Sequence, residues 1–274
     1  MAPVFGKSEK KDDNDPEFEH VDRGLTGFAD IAHIIQGRNI TRLTLSHNKI
    51  SSIPAGIAEI STLEVLNLWN NYIEELPTSL SSLPRLRVLN VGMNRLYTLP
   101  RGFGSFRSLE VIDLTYNNLT EKGLPGNFFF IETLRALYMG DNDLDFLPPD
   151  VKNLKSLQIL CLRENNLISL PKELGEMQRL RELHIQGNRL TLLPPQLGEL
   201  DLTGPKHVLR MEDNPWVAPI AQQLELGVAN VLEYIRGDTY KYLYGRQEAG
   251  GAQVPPINPN RDKKVCRGHK QPGC

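Results

Sequence analysis

A fifteen-residue frame, LxxLxLxxNxLxxLP, recurs seven times in this chain, beginning at Ile40, Leu63, Leu86, Leu109, Leu134, Leu157 and Leu180. Successive starts are 23 residues apart except after Leu109, where the step is 25. Asparagine fills the ninth place every time, at Asn48, Asn71, Asn94, Asn117, Asn142, Asn165 and Asn188. Proline follows at positions 54, 77, 100, 125, 148, 171 and 194. A repeat of this length is one supersecondary unit that leaves its apolar faces bare until neighbours stack on it, so the array must fold as one solenoid. Each fixed position has a physical reason. In "LNL" or "IDL" the two apolar residues are two apart, so a strand turns both to the core and the residue between them outward. The asparagine ends the strand, where a buried amide has to be hydrogen-bonded. Proline suits the return stretch, which needs no sheet hydrogen bond. The expected fold is therefore an α/β solenoid, with a curved parallel sheet of eight strands on the concave face and an irregular or short-helical convex face.

The ends of the array depart from the frame. "FEHVDRGL" keeps Phe18 and His20 at strand positions and has Arg23 in place of asparagine, which reads as a degenerate N-terminal unit. "HVLRMEDNPWVAP" keeps Leu209, Met211 and Asn214 and then leaves the pattern at Pro215. Beyond it, Ile220, Leu224, Val228, Val231 and Ile235 fall at helical spacing behind Pro219, predicting a capping helix weakened in the middle by Gly227. The chain thus divides into a disordered segment over 1–17, a cap over 18–39, seven repeats over 40–203, a terminal repeat with helical cap over 204–246, and a disordered basic tail over 247–274.

Several function classes are disfavoured. Lys plus Arg number 31 against 33 for Asp plus Glu, a formal net charge of -2, which does not suit a chain that neutralises phosphate backbone. The first residues lack the apolar stretch of a secretory signal, and three scattered cysteines form no disulfide framework, so the expectation is a cytoplasmic monomer without stable membrane insertion. Phosphate-loop, nucleophile-elbow, zincin and paired-CxxC motifs are absent. Cys266, His269 and Cys274 fit no zinc spacing. The expectation is a binding module without catalytic residues, cofactor or metal.

A partner would meet the outward rows of the concave sheet. One row reads Thr44, Asn67, Asn90, Asp113, Tyr138, Cys161, His184 and Arg210; the next reads Ser46, Trp69, Gly92, Thr115, Gly140, Arg163, Gln186 and Glu212. A third contains Met93, Tyr116 and Asp141. Trp and Tyr cover much interface area at little rotamer cost, so Trp69, Met93, Tyr116 and Tyr138 are candidate anchors. With Asn67, Asn90, Asp113, Thr115, Asp141 and Arg163 they complete the candidate surface. The row Val65, Val88, Val111, Ala136 and Ile159 reads instead as core or flank.

The repeats resemble the leucine-rich repeat family. The non-consensus stretches "GMNRLYTLPRGFGS", "IDLTYNNLTEKGLPGNFFF", "LRALYMGDND", "ELHIQGNRLTLLPPQLGELDLTG", "NPWVAPIA" and "YIRGDTYKYLYGR" resemble, within it, the Ras suppressor family, over about residues 18–246. That resemblance implies a cytoplasmic adaptor at cell-matrix adhesions. It would bind the last LIM domain of PINCH within the complex of integrin-linked kinase, PINCH and parvin, and dampen Ras signalling. The alternative is a leucine-rich-repeat regulator that binds a small GTPase or a phosphatase directly.

Overall fold

The computed structural model describes residues 16–32, 39–250 and 254–257. The expectations for residues 1–15, for most of the C-terminal tail and for Cys266, His269 and Cys274 lie outside them.

Among the described residues, nine three-residue strands form one parallel sheet in strict sequence order: β1 Glu17–Glu19, β2 Arg42–Thr44, β3 Val65–Asn67, β4 Val88–Asn90, β5 Val111–Asp113, β6 Ala136–Tyr138, β7 Ile159–Cys161, β8 Glu182–His184 and β9 Val208–Arg210. The sheet has one strand more than the frame predicts, because "EFE" pairs with β2 and places Phe18 opposite Leu43. The register sets equivalent residues side by side, so Leu43, Leu66, Leu89, Ile112, Leu137, Leu160, Leu183 and Leu209 form one buried row. The solenoid of the sequence reading is the observed fold.

The asparagine ladder fixes the stacking of the units. Asn94 donates from Nδ2 to the carbonyls of Leu68, Val91 and Gly92 at 3.0–3.1 Å, and its Oδ1 accepts from the Ile73 amide at 3.0 Å. Asn71, Asn117, Asn142, Asn165 and Asn188 repeat the scheme. Opposite the sheet, most prolines open a single 3-10 turn in which the proline carbonyl accepts from the amide three residues on, as in Pro54 to Ile57 and Pro171 to Leu174. The long unit uses its additional residues for a 3-10 turn over Glu121–Gly123, off the concave floor. Phe128 and Phe129 enter the core there, and Phe130 stays 56% exposed.

The single capping helix of the sequence reading is three: α1 Ala218–Leu226, α2 Val228–Arg236 and α3 Asp238–Gly250. Gly227, at φ 122 and ψ 160, occupies a region essentially closed to other residues, and there the chain breaks rather than merely weakens. α2 buries Val231, Leu232 and Ile235, and α3 extends into the segment expected to be tail. Further on, Pro255 accepts a hydrogen bond from Arg189 Nε at 2.8 Å.

Candidate functional site

The concave face is built on the pleat. Along β3 to β5, Val65, Asn67, Val88, Asn90, Val111 and Asp113 are all half-buried while the residue between each pair is buried, so both flanking residues face outward. The valine row is therefore part of this surface, contrary to its reading as core or flank. Strand alternation from Leu66 carries the signal that would have placed it there. Ala136 alone in that row is buried outright.

Asn67, Asn90 and Asp113 are each pinned locally. Their Oδ1 atoms accept from the backbone amides two residues on, those of Trp69, Gly92 and Thr115, at 3.1, 3.0 and 2.9 Å. These side chains thus serve the turn. The same bonds commit one side-chain atom, leaving Nδ2 of Asn67 and Asn90 and Oδ2 of Asp113 as the second polar atom of each.

The third row has a backbone property that the sequence reading missed. His47, Asn70, Met93, Tyr116, Asp141, Glu164 and Asp213 have φ between 51 and 58, and Gly187 has φ 67. Asn, Asp and Gly at four of these eight places are the sequence signal, since they adopt left-handed backbone most easily. Holding Met93 and Tyr116 there costs backbone energy at a place where their side chains line the concave rim.

Trp69, a candidate anchor, also has a packing duty. Its ring lies across Gly92, where a Cβ would come within 2.3 Å of Cζ3, and meets Tyr116 edge-on at 6.3 Å. The Arg163 guanidinium lies 5.6 Å from the Tyr116 ring, with Nη2 donating to the Tyr116 hydroxyl at 3.4 Å, and it pairs with Asp141 at 3.1 Å. Trp69, Tyr116, Arg163 and Asp141 are thus one connected platform across five units. Gly140 beneath Arg163 leaves room for that side chain just as Gly92 does for Trp69.

Tyr138 lies in register between Asp113 and Cys161. Burial, then the electrostatic effects of Glu182, Cys161 and Asp113, push its phenol above the usual range. Thr115, expected to contact a partner, is only 8% exposed and offers almost no surface. Cys161, at 7%, has its thiol pushed up by burial. Half-burial likewise lowers the His184 imidazole, against the opposing effect of Glu182. Among the described residues, no group of three or more His, Cys, Asp or Glu is placed to hold a metal ion, and no helix is long and apolar enough to cross a membrane.

Comparison with known proteins follows this architecture. Residues 26–124 match the family described as "Leucine-rich repeat region", and residues 132–190 match "Leucine rich repeat". Ras suppressor protein 1 of Homo sapiens is 66% identical over 259 residues, 94% of each chain. The chain belongs to the Ras suppressor family of leucine-rich repeat proteins. The Bos taurus and Mus musculus relatives are 64% and 61% identical over the same span. Among solved structures, a Leptospira interrogans LRR protein aligns with TM-score 0.55 and 26% identity, over 75% of this chain and 57% of that one. A TDR receptor aligns at 0.54 and 24%, over 69% of this chain and 37% of the receptor, which shows the shared fold alone. As a leucine-rich repeat member of the Ras suppressor family, the chain is a protein-interaction scaffold.

Proposed function

We propose that the concave face docks the last LIM domain of PINCH, and that the protein works as a non-enzymatic adaptor with integrin-linked kinase and parvin at cell-matrix adhesions, dampening Ras signalling. The segments 18–39 and 204–246 serve as the caps of the array that presents this face. One observation carries the reading. Asn90, Asp113 and Tyr138 stand side by side on β4, β5 and β6, bordered by Met93 and by the platform of Trp69, Tyr116, Arg163 and Asp141. Such a surface joins polar groups already fixed by local bonds to rigid aromatic area, which keeps the ordering cost of binding low. Half-exposed Val65, Val88 and Val111 add apolar area along the same strands.

Calorimetry with the purified last LIM domain tests this. Asp113→Ala with Tyr138→Ala is expected to weaken binding by more than about tenfold, the loss typical of central anchors. Asp113→Asn keeps the acceptor for the Thr115 amide and removes only the charge, so it separates contact from turn. Full binding by the double variant with an intact circular dichroism spectrum would sink the concave assignment. Nucleotide-dependent binding to purified Ras in place of LIM binding would favour the regulator reading.

A further inference from the structure

The edge of the sheet where the strands begin carries a different surface. Arg87, Arg107, Glu110, Glu132, Arg135 and Arg179 line an open groove of about 750 Å³ on the residues that lead into β4 to β8. Glu110 binds two of the arginines at once, with Arg87 Nε 2.9 Å from Oε1 and Arg135 Nη1 3.6 Å from Oε2. It fixes their direction and is itself held ionised, its carboxyl lowered chiefly by the hydrogen bond from Arg87. Arg107 and Arg179 are exposed and have no carboxylate within ion-pair distance among the described residues. Arg181 and Glu64 continue the backbone rung of Arg87, Glu110, Arg135 and Gln158, while Arg85 stands two residues before Arg87 and Lys155 three before Gln158, both exposed. Seven cations therefore face three carboxylates on one edge of a chain whose net charge is -2. The opposite edge has no such excess: Glu74, Glu75, Glu121, Asp143 and Asp145 lie there with Lys49, Arg95, Lys122 and Arg189, of which Arg95 and Arg189 pair with Glu74 and Asp145.

We propose that this arginine-lined groove is a second docking surface, separate from the concave floor, for an extended acidic segment of a partner protein. Guanidinium forks match carboxylates in geometry as well as charge. Four strand steps at about 4.8 Å separate the units of Arg87 and Arg179, so the groove accommodates about six residues of extended chain. Glu110 and Glu132 within it disfavour a densely charged phosphate surface, whereas a peptide can space its carboxylates around them. Two such surfaces on one rigid array would let the scaffold hold two partners together.

Fluorescence anisotropy of a labelled oligoglutamate with the full chain tests the inference. Binding is expected at low ionic strength, falling as salt rises, because the groove is open to solvent. Arg107→Glu with Arg179→Glu, both exposed, should weaken it by about tenfold or more, an effect of opposed charge on both sides of the contact. Glu74→Lys with Glu75→Lys, on the other edge, should not weaken it. The LIM-domain affinity of the arginine variant should stay at the parent value. Absent binding, or binding indifferent to the arginine variant, overturns the proposal. So does arginine-dependent capture by phosphatidylserine vesicles without oligoglutamate binding, which would make the groove a lipid contact. Parallel loss of LIM binding would overturn the separateness of the two surfaces.

Discussion

At the scale of the residue, the amide of the ladder asparagine carries more than any other repeated group. Asn142 is fully buried. Its Nδ2 donates to the carbonyls of Leu114, Met139 and Gly140 at 3.0–3.2 Å, and its Oδ1 accepts from the Leu119 amide at 3.0 Å. No water can replace these bonds at such depth. Asn142→Ala strands a donor and up to three acceptors, so urea denaturation should show a loss of about 3 kcal/mol, from about 1–3 kcal/mol for each unsatisfied buried group with partial relaxation. Asn214 makes the same set of bonds but is only partly buried, at the end of the array. There solvent can step in, and Asn214→Ala should cost about 1 kcal/mol. Equal losses at the two positions would show that burial does not set the worth of the ladder.

At the scale of the element, the C-terminal cap depends on one tyrosine. Tyr240 in α3 is fully buried, donating its hydroxyl to the Leu193 carbonyl at 2.6 Å and accepting from the Leu193 amide at 3.0 Å. It thereby satisfies backbone that a following repeat would otherwise cover. Burial pushes its phenol far above the ordinary range. The raised folded-state value means that the native state keeps its proton while the unfolded chain releases one. Its stabilisation is complete below about pH 10, the unfolded phenol's range, and is lost as pH rises above it. Tyr240→Phe should cost about 2 kcal/mol at neutral pH through the two backbone groups left unpaired. It should also flatten the fall of stability above pH 10, leaving the part due to the other raised groups, Tyr97, Tyr138, Cys161 and Tyr244. An unchanged alkaline slope would show that Tyr240 is not the titrating group. Elements of this kind mark the limit of what is legible in the amino acids. The strands, the ladder and the proline turns could be read because one local geometry is written seven times, and its period averages out single-residue accidents. The cap is written once. Apolar spacing across Gly227 continues as though one helix did, and only a backbone angle reveals the break. The site was half legible for the same reason: outward rows follow from alternation, whereas the ring of Trp69 over Gly92 and the burial of Thr115 arise between neighbouring units and have no local signature.

At the scale of the whole molecule, every unit is stabilised by the next, so the ends decide whether the array is closed. The last 3-10 turn, Pro195–Glu199, meets α2 closely: a Cβ on Gly198 would lie 3.1 Å from Ile235 and 2.8 Å from Arg236. Trp216 secures the junction by donating Nε1 to the Met211 carbonyl at 2.8 Å. Cutting the chain after Trp216 keeps all nine strands yet uncovers the apolar end that Val231, Leu232, Ile235 and Tyr240 pack against. Because coupling between neighbours makes the unfolding of such an array cooperative, the damage should spread inward. The expected product is aggregated by light scattering, or melts early and broadly by circular dichroism. Among the described residues, cutting after Gly250 instead removes the part-buried link from Arg189 to Pro255 and should change stability by less than about 1 kcal/mol. A sharp, unshifted melt from the shorter chain would mean that the repeats close themselves, and that α1 to α3 serve something other than the end of the core.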